Sequence, residues 1–482
     1  MNGTVLKEKL KNFDVSGNLD VEITNLKHDS RKIQTGDIFI ALKGENGDGH
    51  QYVMDAIKRG ARGVVVQDDI NVPKDILKIK VPDTYSAYGE IANLIFDTPS
   101  KKIKVVGTTG TMGKTTITYL LYRLFNFVNI PSGFVGTIGI GYGNDFCMVD
   151  LSPPTTPFPF ELNRYLNNML LANLKYAFIE VSSHGIRDKR IYGVDFYKKI
   201  LGTMGLDHLD FHRTKEDYIN TKVSFFKESF GPILNSDSPF IDKFVGVSIE
   251  PIFYGSMPSL DFSYEYLGRV GHSLIFNMYK KGELLGDIAL SLIGKFNISN
   301  FMAVSAFALS EGLSFKTLGE FAKNISIPGR MELYEWQGRK IVIDYAHNPD
   351  EVEEVLSVLS EEKKGNLITV FGVVGTSNPE KRTEMGKVVS KFSDFAVVTS
   401  DDPRGVDEAS IVQDILKGVS IDRVVFIDRR EAIRYAMIHS KPMDTIAILG
   451  RGVEKRMAFK NGKILEFRDI DIVREVMNEA QS

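Results

Sequence analysis

The chain has 482 residues, 43% of them hydrophobic and 25% charged, which is typical of a folded protein and excludes a largely disordered one. Lys plus Arg (59) and Asp plus Glu (62) nearly balance, so the net charge of −3 gives no support for nucleic acid as the main partner. The single cysteine excludes an intrachain disulfide framework and a cysteine-based zinc site. No apolar run could span a bilayer and the first residues lack an apolar signal core, so we expect a cytoplasmic protein without a membrane partner.

The first hundred residues predict a small α/β domain. Apolar runs at 37–42 and 63–67 have the composition of buried strands, and residues 52–59 between them have that of a helix. The polar, proline-containing segment 97–102 interrupts this pattern. We therefore predict a first domain over residues 1–100, with a linker at its end.

The second predicted domain covers residues 101–327 and begins with a strand at 103–107. After a loop rich in glycine and threonine, apolar residues recur at helical spacing: Ile117, Leu120, Leu121, Leu124, Phe125 and Val128. A further strand at 177–181 ends at polar residues, and the segment 326–330 forms the next break. A strand, a glycine-rich loop and a helix in this order favour an α/β domain with a mostly parallel sheet.

The third predicted domain, residues 328–482, alternates strands with helices. The predicted strands are 341–344, 367–371, 396–399, 424–427 and 445–449. Such alternation favours an open parallel sheet with helices on both faces, which is a doubly wound, Rossmann-like arrangement. Ligands of such sheets bind beyond the carboxyl ends of the strands, where the polar motifs 344–347, 401–404 and 450–454 fall. The predicted fold class is thus α/β, in three domains.

Residues 107–116, Gly-Thr-Thr-Gly-Thr-Met-Gly-Lys-Thr-Thr, are typical of a phosphate-binding loop (P-loop) between a strand and a helix. Backbone N–H groups and the helix N-terminus would surround phosphate oxygens. Lys114 would reach the β- and γ-phosphates of a nucleoside triphosphate, and the Thr115 hydroxyl would bind Mg²⁺. The match is imperfect, because the first glycine of the pattern would have to stand at Thr108. The alternative is a glycine-rich turn with a chance Gly-Lys-Thr.

Further groups suited to metal or phosphate each have a structural alternative. Glu180 ends a predicted strand, where a carboxylate could bind Mg²⁺. Residues 207–212, Asp-His-Leu-Asp-Phe-His, form a second acidic and imidazole cluster, although a helix cap or a hydrogen-bonded histidine explains each residue alone. Lys222 alone is typical of a solvated helix lysine.

The combination of motifs changes these interpretations. The motifs occur in this order: 29–31, 36–39, 48–50, 110–116, 155–157, 180–185, 207–210, Lys222, 296–297 with Asn300, 328–332, 344–347, 381–382, 401–404 and 450–454. On these residues the chain resembles, over nearly its whole length, the Mur ligase family of peptidoglycan synthesis. Within that family it resembles the ligases that add a diamino acid to UDP-N-acetylmuramoyl-L-alanyl-D-glutamate (the MurE type).

The resemblance implies an ATP-dependent amide ligase that forms ADP and phosphate. A carboxylate would become an acyl phosphate, an amine would attack it, and phosphate would leave. The catalytic residues implied are Lys114, Glu180, His208 and Lys222. The ATP-binding residues implied are Gly110, Thr111, Gly113, Lys114, Thr115, Thr116, Asn297, Asn300, Arg330, Asp344 and His347.

The resemblance also implies Mg²⁺ as the cofactor, held by Thr115, Glu180, His208 and Lys222. Lys222 matches the lysine that CO₂ converts to a carbamate in this family, which replaces an ammonium group by carboxylate-like oxygens that suit Mg²⁺. The third domain would close on the second and exclude water from the acyl phosphate.

The partners implied are ATP, a UDP-muramoyl-dipeptide and a diamino acid, and we expect a monomer. Residues that would bind the UDP-muramoyl-dipeptide are Ser30, His50, Thr155, Thr156, Ser182 and Arg190. Residues that would bind the amino acid are Arg382, Asp402, Arg404, Gly450 and Glu454. Arg404 could pair bidentately with a distal carboxylate, which favours meso-diaminopimelate.

The sequence departs from the family pattern in places. Met112, Asp188 and Leu206 stand where Asn, Gln and Arg are common. Asp402 replaces the Asn of the motif that accompanies diaminopimelate, and Val453 replaces a His. Because Asp402 would repel a substrate carboxylate and attract an ammonium group, lysine, ornithine or an unusual amino acid remain open.

Two other functions are open. A ligase with a different acceptor, of the folylpolyglutamate, cyanophycin or pseudomurein type, would share the chemistry, although the motif at 29–31 argues against the first two. A non-catalytic nucleotide-gated binding module is the other alternative, and the intact Lys114, Glu180, His208, Lys222 and Arg330 argue against it.

Overall fold

The computed structural model describes residues 1–44, 47–148, 151, 155–205, 212, 214–459 and 463–479. Its contacts form two compact units, residues 1–146 with 151–254 and residues 147–150 with 255–482. No helix in these described ranges is long and apolar enough to cross a membrane. Both units mix helices with largely parallel sheets, so the predicted α/β class is confirmed. The predicted domain boundaries at 100 and 327 differ from the division into units and stay predictions.

The first unit begins with a five-stranded sheet in the order β1-β7-β6-β3-β2, in which only β1 is antiparallel to its neighbour. The predicted strands are confirmed as β3 and β6, whose apolar side chains are buried, and the predicted helix is confirmed as α2, which buries Val53 and Ala56. The helices are α1 Gly3–Lys9, α2 Val53–Lys58 and α3 Thr84–Ile95. The strands are β1 Asp14–Ser16, β2 Leu26–Lys27, β3 Ile38–Ile40, β4 Lys43–Gly44, β5 Gly47–Asp48, β6 Gly63–Val66 and β7 Leu77–Lys80.

The rest of the first unit contains a second, mostly parallel sheet in the order β11-β10-β9-β12-β8-β13-β15-β17. Its strands, with the separate pair β14 and β16, are β8 Lys104–Thr109, β9 Ser132–Gly136, β10 Gly139–Tyr142, β11 Asp145–Cys147, β12 Tyr176–Glu180, β13 Lys198–Leu201, β14 Ser229–Phe230, β15 Ile233–Asn235, β16 Ser248–Ile249 and β17 Ile252–Gly255. The helices are α4 Lys114–Phe127, α5 Pro159–Leu171, α6 Ser183–Arg187, α7 Lys215–Phe225 and α8 Ile241–Val245. Strands β12 and β13 flank β8 in parallel, so their carboxyl ends meet beside the residues that follow β8.

The second unit begins with three antiparallel strands and two helices, which the sequence analysis did not single out: β18 Phe262–Val270, β19 Ser273–Lys280, β20 Glu283–Leu290, α9 Phe296–Ser310 and α10 Phe315–Ala322. Strand β19 alternates buried and half-buried residues, the period-two pattern of a strand with one covered face. Gly271 and Gly282 lie in the two turns with positive φ, which glycine adopts at little cost.

The second unit continues with a six-stranded sheet in the order β21-β22-β26-β23-β24-β25, parallel apart from β21. The strands are β21 Glu332–Trp336, β22 Arg339–Asp344, β23 Leu367–Phe371, β24 Phe395–Thr399, β25 Arg423–Phe426 and β26 Thr445–Leu449, followed by the hairpin β27 Arg456–Ala458 and β28 Ile464–Glu466. The helices are α11 Pro349–Glu362, α12 Pro379–Phe392, α13 Glu408–Leu416, α14 Arg429–His439 and α15 Asp469–Glu479. All five predicted strands are confirmed.

Helices cover both faces of this sheet. Val342 of β22 packs in one cluster with residues of α11, α12 and α13, whereas its neighbours Ile341 and Ile343 pack with α14 and α15 on the other face. The doubly wound arrangement is therefore confirmed, and it explains why the strand sequences are continuously apolar.

A buried ion pair fixes the last helix to this sheet. Asp469, the first residue of α15, accepts hydrogen bonds of 2.8 and 2.7 Å from the Arg429 guanidinium of α14. The same guanidinium donates to the backbone carbonyl of Leu449, where β26 ends, at 2.9 Å. Both charged side chains are almost fully buried.

Candidate active site

The predicted phosphate-binding loop follows β8 and leads into α4. Gly113 precedes the helix with φ +82°, in the left-handed region, and having no side chain it leaves the first amides of α4 accessible to an anion. The Lys114 ammonium lies across the loop and donates to the carbonyls of Gly110 (3.1 Å) and Thr111 (2.8 Å). The Thr111 hydroxyl also contacts Tyr218 at 2.8 Å. Thr116 is buried in the first turn of the helix.

Glu180 lies at the end of β12, beside this loop, and is fully buried. The Thr115 hydroxyl donates to its Oε2 at 2.9 Å, which brings together two of the predicted metal ligands. Thr137 donates from its hydroxyl to Oε2 and from its N–H to Oε1, both at 2.9 Å. Burial raises the pKa of the Glu180 carboxyl, and the charge of Lys114 opposes this shift.

The oxygen atoms of Thr115, Thr137 and Glu180 form the kind of donor set that Mg²⁺ prefers, so these residues fit that ion. Thr137 was not among the predicted site residues. Gly136, just before it, packs closely on the same carboxylate, because a Cβ there would lie 2.1 Å from Oε1 of Glu180. A substitution at Gly136 would displace the carboxylate.

Lys222 also lies at this loop and is not a solvated helix lysine. Its side chain is 2% exposed, on α7, and Nζ donates to the Gly110 carbonyl at 2.7 Å. It also lies 5.0 Å from the ring centroid of Tyr218. The predicted His208, with its neighbours 206–211, lies outside the described residues. His212 is buried, and its Nδ1 is 3.5 Å from the Asp217 carboxylate.

Four residues predicted for the dipeptide part of the acceptor lie near Glu180. The Thr156 hydroxyl donates to the Glu180 carbonyl at 3.0 Å and contacts the Ser182 hydroxyl at 3.1 Å. Thr155 contacts the Thr137 hydroxyl at 2.9 Å. Arg190 donates to the Thr156 carbonyl at 3.2 Å. The structure therefore gathers the four side chains around the end of β12.

Two side chains modify the surroundings of Arg190. Asp188, one of the departures from the family pattern, accepts a 2.7 Å hydrogen bond from its guanidinium. The guanidinium also lies 5.1 Å from the ring centroid of Phe158. The His28 ring also packs against Phe158, with ring centroids 4.0 Å apart. Burial lowers the pKa of His28 to about 4.

The predicted uridine-site residues Ser30 and His50 are both buried. Nδ1 of His50 is 2.5 Å from Asp48, and its Nε2 accepts the N–H of Gln67 at 2.8 Å. Asp48, His50 and Asp68 are close enough to suggest a metal site. Both ring nitrogens are already engaged, however, and Lys43 pairs with Asp68 at 2.8 Å, so we interpret the cluster as a structural ion-pair network.

The predicted nucleoside residues of the second unit form two groups. Asn297 and Asn300, buried on α9, bond to each other at 3.0 Å. Asp344, at the end of β22, accepts N–H groups of Met331 (2.6 Å) and Ala346 (2.7 Å). Burial raises the pKa of Asp344, and the charge of Arg330 opposes this.

Arg330 and His347 both contact the residue after Asp344. The Arg330 guanidinium lies 4.7 Å from the ring centroid of Tyr345, and Nδ1 of His347 lies 3.1 Å from the Tyr345 carbonyl oxygen. Tyr345 was part of the quoted motif but was not predicted as a site residue.

Of the predicted amino-acid residues, Asp402 and Arg404 follow β24, Gly450 and Glu454 follow β26, and Arg382 lies on α12. Asp402 accepts hydrogen bonds from Nε of Arg404 (2.8 Å) and from the N–H of Ala458 (2.7 Å). Arg382 is buried and donates to the Gly375 carbonyl and to Asp414. Gly450 has φ +115°, and a Cβ there would lie 2.4 Å from Oδ2 of Asp401.

Glu454 completes this group. It accepts a 3.0 Å hydrogen bond from the Tyr345 hydroxyl and lies 3.7 Å from the buried Arg451. Burial raises the pKa of Glu454 to about 7. Arg451 in turn pairs with Asp401 at 3.2 Å, which stabilises the loop after β26.

A phosphate-binding loop whose threonine bonds a buried glutamate at the end of the adjacent strand defines a P-loop nucleotide-binding enzyme. Three domain families match in succession: "Mur ligase family, catalytic domain" at residues 22–98, "Mur ligase middle domain" at 108–308 and "Mur ligase, glutamate ligase domain" at 329–452.

Similar proteins cover nearly the whole chain. The UDP-N-acetylmuramoyl-L-alanyl-D-glutamate--2,6-diaminopimelate ligase of Clostridium perfringens is 34% identical over 98% of this chain and 99% of its own. The ligase of the same name from Aquifex aeolicus is 35% identical over 93% and 92%. A solved structure of a ligase of that name has 25% identity and a TM-score of 0.65, covering 97% of this chain and 98% of its own. A folylpolyglutamate synthase of Thermotoga maritima shares the fold, with 18% identity, a TM-score of 0.59, and 76% and 90% covered.

The chain therefore belongs to the Mur ligase family. It is an ATP-dependent ligase.

Proposed function

We propose that this chain joins a diamino acid to UDP-N-acetylmuramoyl-L-alanyl-D-glutamate in the synthesis of peptidoglycan precursors, with ATP converted to ADP and phosphate. The full-length similarity to ligases of that name carries the proposal. The motif at 29–31, which includes Ser30 and lies in the part of the chain that matches the family's first domain, supports a uridine-nucleotide acceptor over a folate.

In the proposed mechanism the acceptor carboxylate attacks the γ-phosphorus of ATP, the bond to the β-phosphate oxygen breaks, and an acyl phosphate forms. The amine of the amino acid then attacks the acyl carbon, loses a proton, and expels phosphate. Both steps concentrate negative charge, so oriented donors and cations accelerate them. The amides at the start of α4 and the Lys114 ammonium would hold the phosphates, after Lys114 exchanges its present carbonyl partners for them.

We further propose that Thr115 and Glu180 hold Mg²⁺, with His208 and a carbamate on Lys222 as the additional ligands. The ion would supply charge neutralisation at the phosphate oxygens. The support is the shared hydrogen bond between Thr115 and Glu180 and the burial of Lys222 beside the loop. Buried ammonium groups lose basicity, and the neutral amine is the form that reacts with CO₂.

We propose meso-diaminopimelate as the amino acid and lysine as the second candidate. The names of the relatives favour the former, and Arg404, with half of its side chain exposed, offers a cation for a distal carboxylate. The hydrogen bond from Arg404 to Asp402 favours lysine, because the guanidinium already donates to a carboxylate of the protein. Glu454 and Asp402 are carboxylates that would receive ammonium groups.

The test is phosphate release by the purified chain with Mg²⁺, ATP, the UDP-muramoyl-dipeptide and one amino acid at a time: meso-diaminopimelate, L-lysine, L-ornithine or D-lysine. We expect turnover that requires both acceptor and amino acid and is fastest with meso-diaminopimelate. Turnover with lysine alone would make lysine the substrate in place of meso-diaminopimelate. Equal ADP formation with and without the acceptor would contradict the proposed reaction.

We also propose three domains, 1–100, 101–327 and 328–482, and a cytoplasmic monomer without a nucleic-acid or membrane partner. The three successive domain-family matches support the division. Light scattering of the purified chain tests the monomer, and limited proteolysis with mass spectrometry tests the boundaries.

A further inference from the structure

Tyr345 lies between two side chains that serve different substrates in the proposed function. Its ring faces the Arg330 guanidinium, 4.7 Å from centroid to carbon, which is a cation–π distance. Its hydroxyl donates a 3.0 Å hydrogen bond to Oε1 of Glu454. One side chain thus contacts a proposed ATP-binding residue with its face and a proposed amino-acid-binding residue with its tip.

Two neighbouring loops pack against the backbone and Cβ of Tyr345, and His347 of its own loop contacts its carbonyl. The N–H of Tyr345 donates to the Gly329 carbonyl at 3.0 Å, and its carbonyl oxygen is 3.1 Å from Nδ1 of His347. A Cβ added at Gly452 would lie 3.0 Å from the Tyr345 Cβ, so the loop after β26 packs directly on the tyrosine. A shift of the ring would therefore move Arg330 and Glu454 together.

We propose that Tyr345 is a positioning residue that couples the ATP-binding and amino-acid-binding groups, by orienting the Arg330 guanidinium with its ring and the Glu454 carboxylate with its hydroxyl. The inference rests on the proposed function, because it takes the substrates of Arg330 and Glu454 from there. It assigns the two contacts separable effects: the ring acts on ATP and the hydroxyl on the amino acid.

Conservative variants separate the two contacts. Tyr345→Phe keeps the ring and removes the hydroxyl, so we expect the KM of the amino acid to rise ~5- to 10-fold, the cost of a lost bond to a buried carboxylate. The KM of ATP should stay within about 2-fold, because the cation–π contact remains. Tyr345→Leu removes both contacts, and we expect it to raise both KM values by at least ~3-fold.

Two controls distinguish coupling from general damage. Tyr279→Phe removes another tyrosine–glutamate hydrogen bond, 2.8 Å to Glu265 on the β18–β19 hairpin, and should change neither KM. In a Glu454→Gln background, Tyr345→Phe should add little to the amino-acid KM, because the two residues act through one bond. Equal rises of both KM values in Tyr345→Phe, or additive effects in the double variant, would overturn the proposal.

A failure of the proposed function can be distinguished from a failure of the coupling through Tyr345. If the wild-type chain turns over no amino acid, ATP affinity measured by calorimetry still tests the ring contact. Tyr345→Leu should then weaken ATP binding at least ~3-fold and Tyr345→Phe should leave it unchanged. Unchanged ATP binding in Tyr345→Leu would overturn the coupling whatever the substrate is.

Discussion

Nε of Arg404 donates a 2.8 Å hydrogen bond to Oδ2 of Asp402, and one residue separates the two in the chain. The other carboxylate oxygen accepts the N–H of Ala458 on β27. An asparagine could keep the bond to Ala458 with its carbonyl oxygen, but its NH₂ group cannot accept a bond from Arg404. The acid at position 402 therefore decides whether the guanidinium pairs inside the protein.

Asp402→Asn should move the amino-acid preference toward meso-diaminopimelate, because the released Arg404 can pair with its distal carboxylate. We expect the ratio of kcat/KM for meso-diaminopimelate to that for lysine to rise ~5- to 20-fold, in the range of a charge-assisted contact. Asp471→Asn is the matched control, since it removes an exposed aspartate–arginine pair with Arg468. A ratio that stays constant or falls would contradict the role of Asp402.

Lys222→Ala should lower turnover by at least ~10²-fold, because a group that stabilises transferred phosphate is lost. Lys199→Ala is the control, since Lys199 also lies 5.0 Å from an aromatic ring centroid, that of Phe225, but it was not predicted at the site. A short carboxylic acid added to the assay should restore part of the activity of Lys222→Ala only. Full activity without rescue would contradict a carbamate at this position.

Glu180→Gln should lower turnover by ~10²- to 10³-fold while the chain stays folded, because the amide keeps the shape but loses the charge that suits Mg²⁺. Glu161→Gln serves as the control for a carboxyl with a pKa raised by burial elsewhere in the first unit. The Mg²⁺ concentration needed for half-maximal activity should rise in Glu180→Gln alone. An unchanged Mg²⁺ concentration for half-maximal activity would contradict the proposal that Glu180 binds the metal.

Amino-acid binding should weaken in mild acid, because burial raises the pKa of Glu454 to about 7 and only its carboxylate form attracts an ammonium group. Between pH 8 and pH 6 we expect the KM to rise roughly 10-fold, the change in the ionised fraction. Charged or titratable neighbours of Glu454 are Tyr345, His347, Asp401, Arg404, Arg429 and Arg451. Glu454→Gln should abolish this pH dependence, and a wild-type KM that is flat over this range would contradict it.

His28 should make the protein less stable in acid. Its pKa is about 4 in the folded protein and 6.5 as the ordinary value, so the unfolded chain binds the proton more readily. The contribution is complete above pH 6.5 and is lost as the pH falls toward 4, up to roughly 3 kcal/mol. Between pH 8 and pH 5, the melting temperature of His28→Gln should fall less than that of the wild type. The exposed His272→Gln serves as the control and should behave like wild type.

The sequence predicted nine of the 28 strands in the described residues, and the polar groups that follow several of them, because these strands are continuously apolar and their polar ends stand out. It did not predict Thr137, which binds Glu180 from a turn without a recognisable motif, nor the His28 contact with Phe158, which joins segments 130 residues apart. Partners of this kind depend on tertiary packing rather than on local pattern. The β18–β20 sheet was missed for a different reason, because its strands are half-exposed and carry only a weak alternating pattern.

The contact of Arg429 with Asp469 and the Leu449 carbonyl also bears on how the gene can be trimmed for expression. Gly450 follows Leu449 directly, so deleting α15 would leave an uncompensated guanidinium beneath the loop that carries Gly450 and Glu454. Removing one member of a buried ion pair lowers the free energy of unfolding by about 3–5 kcal/mol. Shortened versions ending before Asp469 should therefore be recovered as insoluble material, and purification handles should extend the carboxyl end rather than replace it.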